Sequence, residues 1–164
     1  MRGFRIALES HGRTAREILS GWSGFTVDGR WHSSGRRLDY AAESLSLAVL
    51  ERLVHYKRFN DLQAHVVCSI DLPGTAVRSL GEVPAGWDGT DLLPAAQALG
   101  NAWCDRQDSP ALRVPSAVTR GEFNLLLNTH HPDWDWSWVN TPQPFRFDNR
   151  LQTLLAQARS RRQQ

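Results

Sequence analysis

Between Ser44 and Phe59 the apolar residues Leu45, Leu47, Val49, Leu50, Leu53 and Val54 recur at helical period and cover a broad arc. A helix with so wide an apolar face has to lie against another element. Ser44, Glu51, Arg52 and His55 fall on the opposite side, with Ala48 among them. Glu51 stands at the border of the arc, beside Leu47 and Val54, where a carboxylate is partly shielded from water.

The other segments are shorter. Phe4–Leu8, Leu38–Ala41, His65–Ile70, Ala111–Val114, Phe123–Leu127 and Phe145–Phe147 read as strands. Thr14–Leu19 reads as a brief helix capped by Thr14 and ended by Gly21. Pro94–Arg106 reads as a second long helix, with proline in its first turn. Gly24, Asp28-Gly29 and Ser33-Ser34-Gly35 mark a turn-rich stretch, and Leu151–Ala158 has helical composition. Strands and helices mix without regular βαβ alternation, so the expected class is α+β. The length suits one domain, taken as residues 1–158, followed by a basic tail at 159–164.

Several functional classes lose support. The formal charge of +2 gives no strong field for a nucleic acid. No apolar run approaches the ~20 residues of a membrane span, and the N-terminus lacks a secretion signal. Cys68 and Cys104 form no CxxC pair and read as reduced thiols. The expected location is the cytoplasm. No Walker loop, GxGxxG, GxSxG or HExxH motif is present. His130 and His131 lie near Asp133 and Asp135 without metal-ligand spacing, and no metal site is expected.

Four residues stand out chemically, each with a plainer alternative. Arg30, in Gly29-Arg30-Trp31, can grip a phosphate through parallel N–H donors or be an exposed turn arginine. Tyr40 can stack on a flat heterocycle or fill a core. Glu51 can stabilise developing positive charge or pair with His55 one turn on. Ser116 can point a hydroxyl into a cleft or be a turn serine. Trp134, Trp136 and Trp138 alternate, so an extended backbone places them on one face, against a core or a partner.

Taken in order, the run from Gly29 to Glu51 resembles the core signature of the RES-domain family, named for an Arg, a Glu and a Ser. Arg30, Glu51 and Ser116 match the three, and Asp39 stands where an apolar residue is usual. The Phe4-Arg5-Ile6 opening, Asn128–Pro132 and Pro144–Asp148 extend the resemblance over nearly the whole chain.

The resemblance implies an α+β domain similar to ADP-ribosyltransferase toxins. It implies the toxin of a toxin–antitoxin pair that depletes NAD⁺ by hydrolysis or phosphorolysis. NAD⁺ is then the substrate, inorganic phosphate a candidate co-substrate, and no separate cofactor is expected. The implied partner is an Xre-like helix-turn-helix antitoxin. Glu51, Arg30 and Ser116 become the expected catalytic set, with Arg30, Trp31, Tyr40, Ser116 and Asn128 expected to bind NAD⁺. Transfer of ADP-ribose to a protein, or a non-catalytic binding module, remain the alternatives.

Overall fold

The computed structural model describes residues 1–55, 64–89, 91 and 93–151. The helix expected at 151–158 and the basic tail lie outside the described residues, apart from Leu151. Seven strands form one sheet: β1 (Arg2–Leu8), β2 (Asp39–Ala42), β3 (His65–Asp71), β4 (Val77–Ser79), β5 (Ala111–Pro115), β6 (Phe123–Leu127) and β7 (Gln143–Phe145). Their spatial order is β4-β5-β6-β2-β1-β3-β7. All neighbours are antiparallel except β4 and β5. Among the described residues four α-helices accompany the sheet: α1 (Ala15–Ile18), α2 (Trp22–Thr26), α3 (Leu45–Leu53) and α4 (Pro94–Arg106). The architecture is α+β. No helix among the described residues is long and apolar enough to cross a membrane.

Strand alternation sorts the side chains onto two faces. On one, Ile6 and Ala42 pack with Leu47 and Ala48 of α3, while Leu112, Val114 and Leu126 pack with Ala96 and Trp103 of α4. Tyr40 and Ala42 of β2 lie where those two groups meet. On the other face, Ala41, Cys68, Ile70, Leu125 and Leu127 bury Ile18 and Leu19, the end of α1 and the residue after it. Trp134 packs edge-on against both Trp136 and Trp138, and all three lie against this second core, Trp136 under the Arg16 guanidinium. Core packing therefore accounts for their spacing, although Trp136–Trp138 is a 3-10 turn and not an extended segment.

Three expectations are revised. The helix begun at Ser44 ends at Leu53, and residues 56–59 lie outside the described residues. Its inward face is rotated from the expected arc: Leu47, Ala48 and Leu53 are buried, whereas Leu45, Leu50 and Val54 are exposed. Ala48 is small enough to seat the helix on the sheet, and Glu51, one turn on, turns inward with it. The last strand pairs Gln143–Phe145 with β3, two residues earlier than expected. The glycine-containing stretch after Gly21 forms α2, and the short β4 extends the sheet beside β5.

Asp39 and Arg5 explain one departure from the family pattern. Arg5 Nη2 meets Asp39 Oδ1 at 2.8 Å, with Asp39 only 1% exposed. Asp39 Oδ2 accepts the Gly21 N–H at 2.7 Å. Arg5 also donates to the carbonyls of Ile18 and Tyr40. Burial pushes the Asp39 carboxyl up, and Arg5 and the Gly21 N–H oppose that push. The pair thus ties the α1–α2 connection to β1 and β2 on the face opposite Tyr40.

Candidate active site

Gly29 to His32 form a tight two-residue turn, closed by the Gly29 N–H donating to the His32 carbonyl at 2.9 Å. The turn splits its two corner residues. Trp31 goes inward, 1% exposed, and packs against Trp87 with ring centroids 5.3 Å apart. Arg30 remains partly exposed and donates from Nη1 to the Trp87 carbonyl at 2.5 Å. Among the described residues this is its one hydrogen bond, which leaves four of its five N–H donors for other acceptors.

One face of α4 clamps this turn. Gln97 donates to the carbonyls of Gly29 and His32, at 3.0 and 3.3 Å. Asn101 accepts the Ser33 N–H at 3.0 Å and donates to the Ser33 hydroxyl at 2.6 Å. Between them Gly100 lets the helix touch the turn: a Cβ there would sit 1.8 Å from the Trp31 carbonyl oxygen. Gly100→Ala is therefore expected to lose about 1–3 kcal/mol by overpacking, although Ala in a free helix would gain about 0.5–1 kcal/mol. Thermal unfolding of the variant checks this; a raised Tm would show that the approach is looser than described.

Tyr40 reaches the turn from β2. Its hydroxyl lies 2.8 Å from His32 Nδ1 and accepts the Trp31 N–H at 3.3 Å. Burial pushes the phenol above its ordinary range; the Glu51 carboxylate pushes the same way and the Arg30 guanidinium opposes it. Both charges therefore lie within electrostatic reach of the Tyr40 hydroxyl. Tyr40 is thus joined by hydrogen bonds to the turn that carries Arg30.

Glu51 is held from the sheet. Its Oε1 accepts from the Ser116 hydroxyl at 2.7 Å and from Asn124 Nδ2 at 2.6 Å. Ser116 Oγ in turn accepts the backbone N–H groups of Val118 and Thr119, each at 3.1 Å. Among the described residues Glu51 Oε2 accepts no hydrogen bond, so one oxygen is anchored and the other is available. The start of α3 is fixed as firmly: Ser44 Oγ caps the Leu47 N–H and donates to Glu122 Oε2 at 2.8 Å. Beside it Arg113 pairs with Glu43 and lies over the Phe123 ring.

Two of the residues expected to contact substrate make structural contacts. Trp31 is buried in the α4 core and supports the turn from beneath. Asn128 lies just past the end of β6, two residues beyond Leu126, the strand partner of Tyr40. There its Oδ1 accepts the His130 N–H in a turn. Ser116 is 1% exposed and gives its only proton to Glu51, so it orients that carboxylate and does not face open space. Sequence reasoning missed His32, Asn124, Gln97 and Asn101. Asn124 carried a signal, as a polar residue at an inward position of an otherwise apolar strand. Gln97, Gly100 and Asn101 carried another, being spaced i, i+3, i+4 along one helix face.

Comparison with known proteins places the chain in a family. The RES domain model matches residues 3–148. The chain is 32% identical over 143 residues to "Toxin Res" of Yersinia enterocolitica, covering 83% of this chain and 93% of that protein. It is 33% identical over 135 residues to the "Prs ADP-ribosylating toxin" of a Sphingobium species, covering 79% of this chain and 83% of that protein. Its fold is similar to a chain of the crystal structure of the M. tuberculosis MbcT–MbcA toxin–antitoxin complex. There the TM-score is 0.67 at 15% identity, covering 94% of this chain and 87% of that one. On the family match and these identities, the chain belongs to the RES-domain family.

Proposed function

We propose that this chain is the toxin of a toxin–antitoxin pair and that it breaks the nicotinamide–ribose bond of NAD⁺. The observation that carries the reading is the placement of Glu51. One of its oxygens is restrained by Ser116 and by Asn124 of β6, the strand that pairs with β2 and Tyr40, and Tyr40 in turn bonds the turn that carries Arg30. In NAD⁺ the nicotinamide leaves as a neutral ring, taking the electron pair of the C1′–N bond, so departure requires no general acid. What the reaction does require is a grip on the pyrophosphate, a wall for the ring or ribose, and negative charge near an oxocarbenium-like ribose. Arg30 supplies the first, Tyr40 the second and Glu51 Oε2 the third. Water or inorganic phosphate then adds at C1′ and loses its proton to solvent. No separate cofactor is required.

A second acceptor is favoured by one finding, the name of the Sphingobium relative as an ADP-ribosylating toxin. The same residues serve transfer of ADP-ribose to a protein side chain. In the paired setting, an Xre-like helix-turn-helix antitoxin in the cytoplasm would cover this site.

The test is the purified chain incubated with NAD⁺ labelled in the adenosine half. Nicotinamide release with free ADP-ribose supports hydrolysis, ADP-ribose 1-phosphate supports phosphorolysis, and label on a protein band supports transfer. A folded chain that releases no nicotinamide under any of these conditions is a binding module, and the enzymatic reading is lost.

A further inference from the structure

We propose that His32 is a positioning residue that latches Tyr40 to the turn carrying Arg30, so that the phenol proton is committed inside the protein. The inference deepens the NAD⁺-cleaving reading and rests on it for its kinetic consequences. The hydrogen-bond pattern assigns the ring. His32 Nε2 lies 3.1 Å from the Gly24 carbonyl, which can only accept, so Nε2 carries the hydrogen. In the neutral ring Nδ1 is then bare and must accept, so the Tyr40 hydroxyl, 2.8 Å away, is the donor.

His32 is 2% exposed, and burial holds it below the ordinary histidine range, which favours the neutral ring. The Gly24 and Val27 carbonyls and Asp28 oppose that shift, whereas Arg36 adds to it. Tyr40 is the titratable group in direct contact. Gly29 leaves the space in which the two side chains meet: a Cβ there would lie 2.5 Å from the His32 ring and 2.6 Å from the Tyr40 oxygen.

The consequence is a division of labour within Tyr40. Its proton goes to His32, and its oxygen also accepts the Trp31 N–H of the turn. It therefore donates no proton to a substrate. Its ring forms the wall of the site, while its hydroxyl holds the turn that presents Arg30. Breaking the latch should loosen the grip on the pyrophosphate and leave the bond-breaking step, which depends on Glu51, nearly intact.

The test uses the full chain and the variants Tyr40→Phe, His32→Gln, His32→Asn and the double variant His32→Gln/Tyr40→Phe. Gln can reach Gly24 but places no acceptor where Nδ1 stood; Asn places its Oδ1 there. Tyr40→Phe and His32→Gln are each expected to raise KM for NAD⁺ about tenfold with kcat changed less than about twofold. The double variant should be no more than about twofold worse than either single, and Asn should recover most of the loss. Multiplying KM effects in the double variant, or a fall confined to kcat, overturns the proposal. If His32→Gln does not fold, the comparison of Tyr40→Phe with His32→Asn carries the same test.

Nitrogen NMR of the His32 ring needs no substrate. A bare, hydrogen-bonded Nδ1 that changes in Tyr40→Phe supports the latch. A protonated Nδ1 at neutral pH overturns it, even in an active chain. Conversely, a wild-type chain that shows this signature but cleaves no NAD⁺ keeps the latch and sinks the enzymatic reading.

Discussion

Glu51→Gln is expected to lower the rate of NAD⁺ breakdown by about 10²–10³-fold while leaving the fold in place. The substitution separates charge from structure at this site. Ser116 and Asn124 both donate to Oε1, and the amide oxygen of Gln can take that position and accept from both. The amide nitrogen then stands where Oε2 stood, and only the negative charge is lost. Glu51→Ala is the poorer probe. It would leave the Ser116 hydroxyl and the Asn124 amide without their acceptor in a largely buried setting, at about 1–3 kcal/mol each. Nicotinamide release by Glu51→Gln, read beside its thermal unfolding, settles the assignment. Undiminished release from a folded variant removes Glu51 from the reaction.

The largest stability effect is expected at Asp39, in a residue that touches no substrate. Asp39→Ala leaves the half-buried Arg5 guanidinium facing an apolar gap and the Gly21 N–H without its acceptor. Removing one partner of a buried pair costs about 3–5 kcal/mol, since the remaining charge is uncompensated. For a chain of this length that lowers Tm by roughly 10 °C. The double variant Arg5→Met/Asp39→Leu is expected to recover much of this, because both desolvated charges go together. Equilibrium denaturation of the two variants checks the argument. A loss of less than about 1 kcal/mol in Asp39→Ala would mean that the two carbonyls bonded by Arg5 already satisfy it.

The elements that the sequence made legible are those whose signals are local. Pro94–Arg106 has the expected bounds, because proline starts a helix without losing a hydrogen bond and Gln107 turns into the left-handed region just after Arg106. Thr14 caps α1 as expected, with Glu17 reaching back to close a capping box. Helix α3 was legible as a helix but not in its orientation. Apolar side chains outnumber the places available for them on the sheet, so periodicity alone marks Leu45, Leu50 and Val54 as inward. The seat of Ala48 on β1 and β2, and the hydrogen bonds of Glu51, turn them outward instead.

Arg30, Glu51 and Ser116 could be matched to a family pattern because their order and spacing survive in the linear chain. Their relation could not be read there. Glu51 and Ser116 stand 65 positions apart, and Glu51 and Asn124 stand 73 apart. They meet because β6 lies between β2 and β5, and α3 returns over that face. Asp39, odd as a sequence feature, becomes ordinary once Arg5 is its neighbour across the sheet. Local propensity and residue order determined which elements form and which side chains match the family pattern. Strand pairing and helix seating decided which of those side chains touch, because hydrogen-bond reach is a few ångströms in space whatever the separation along the chain.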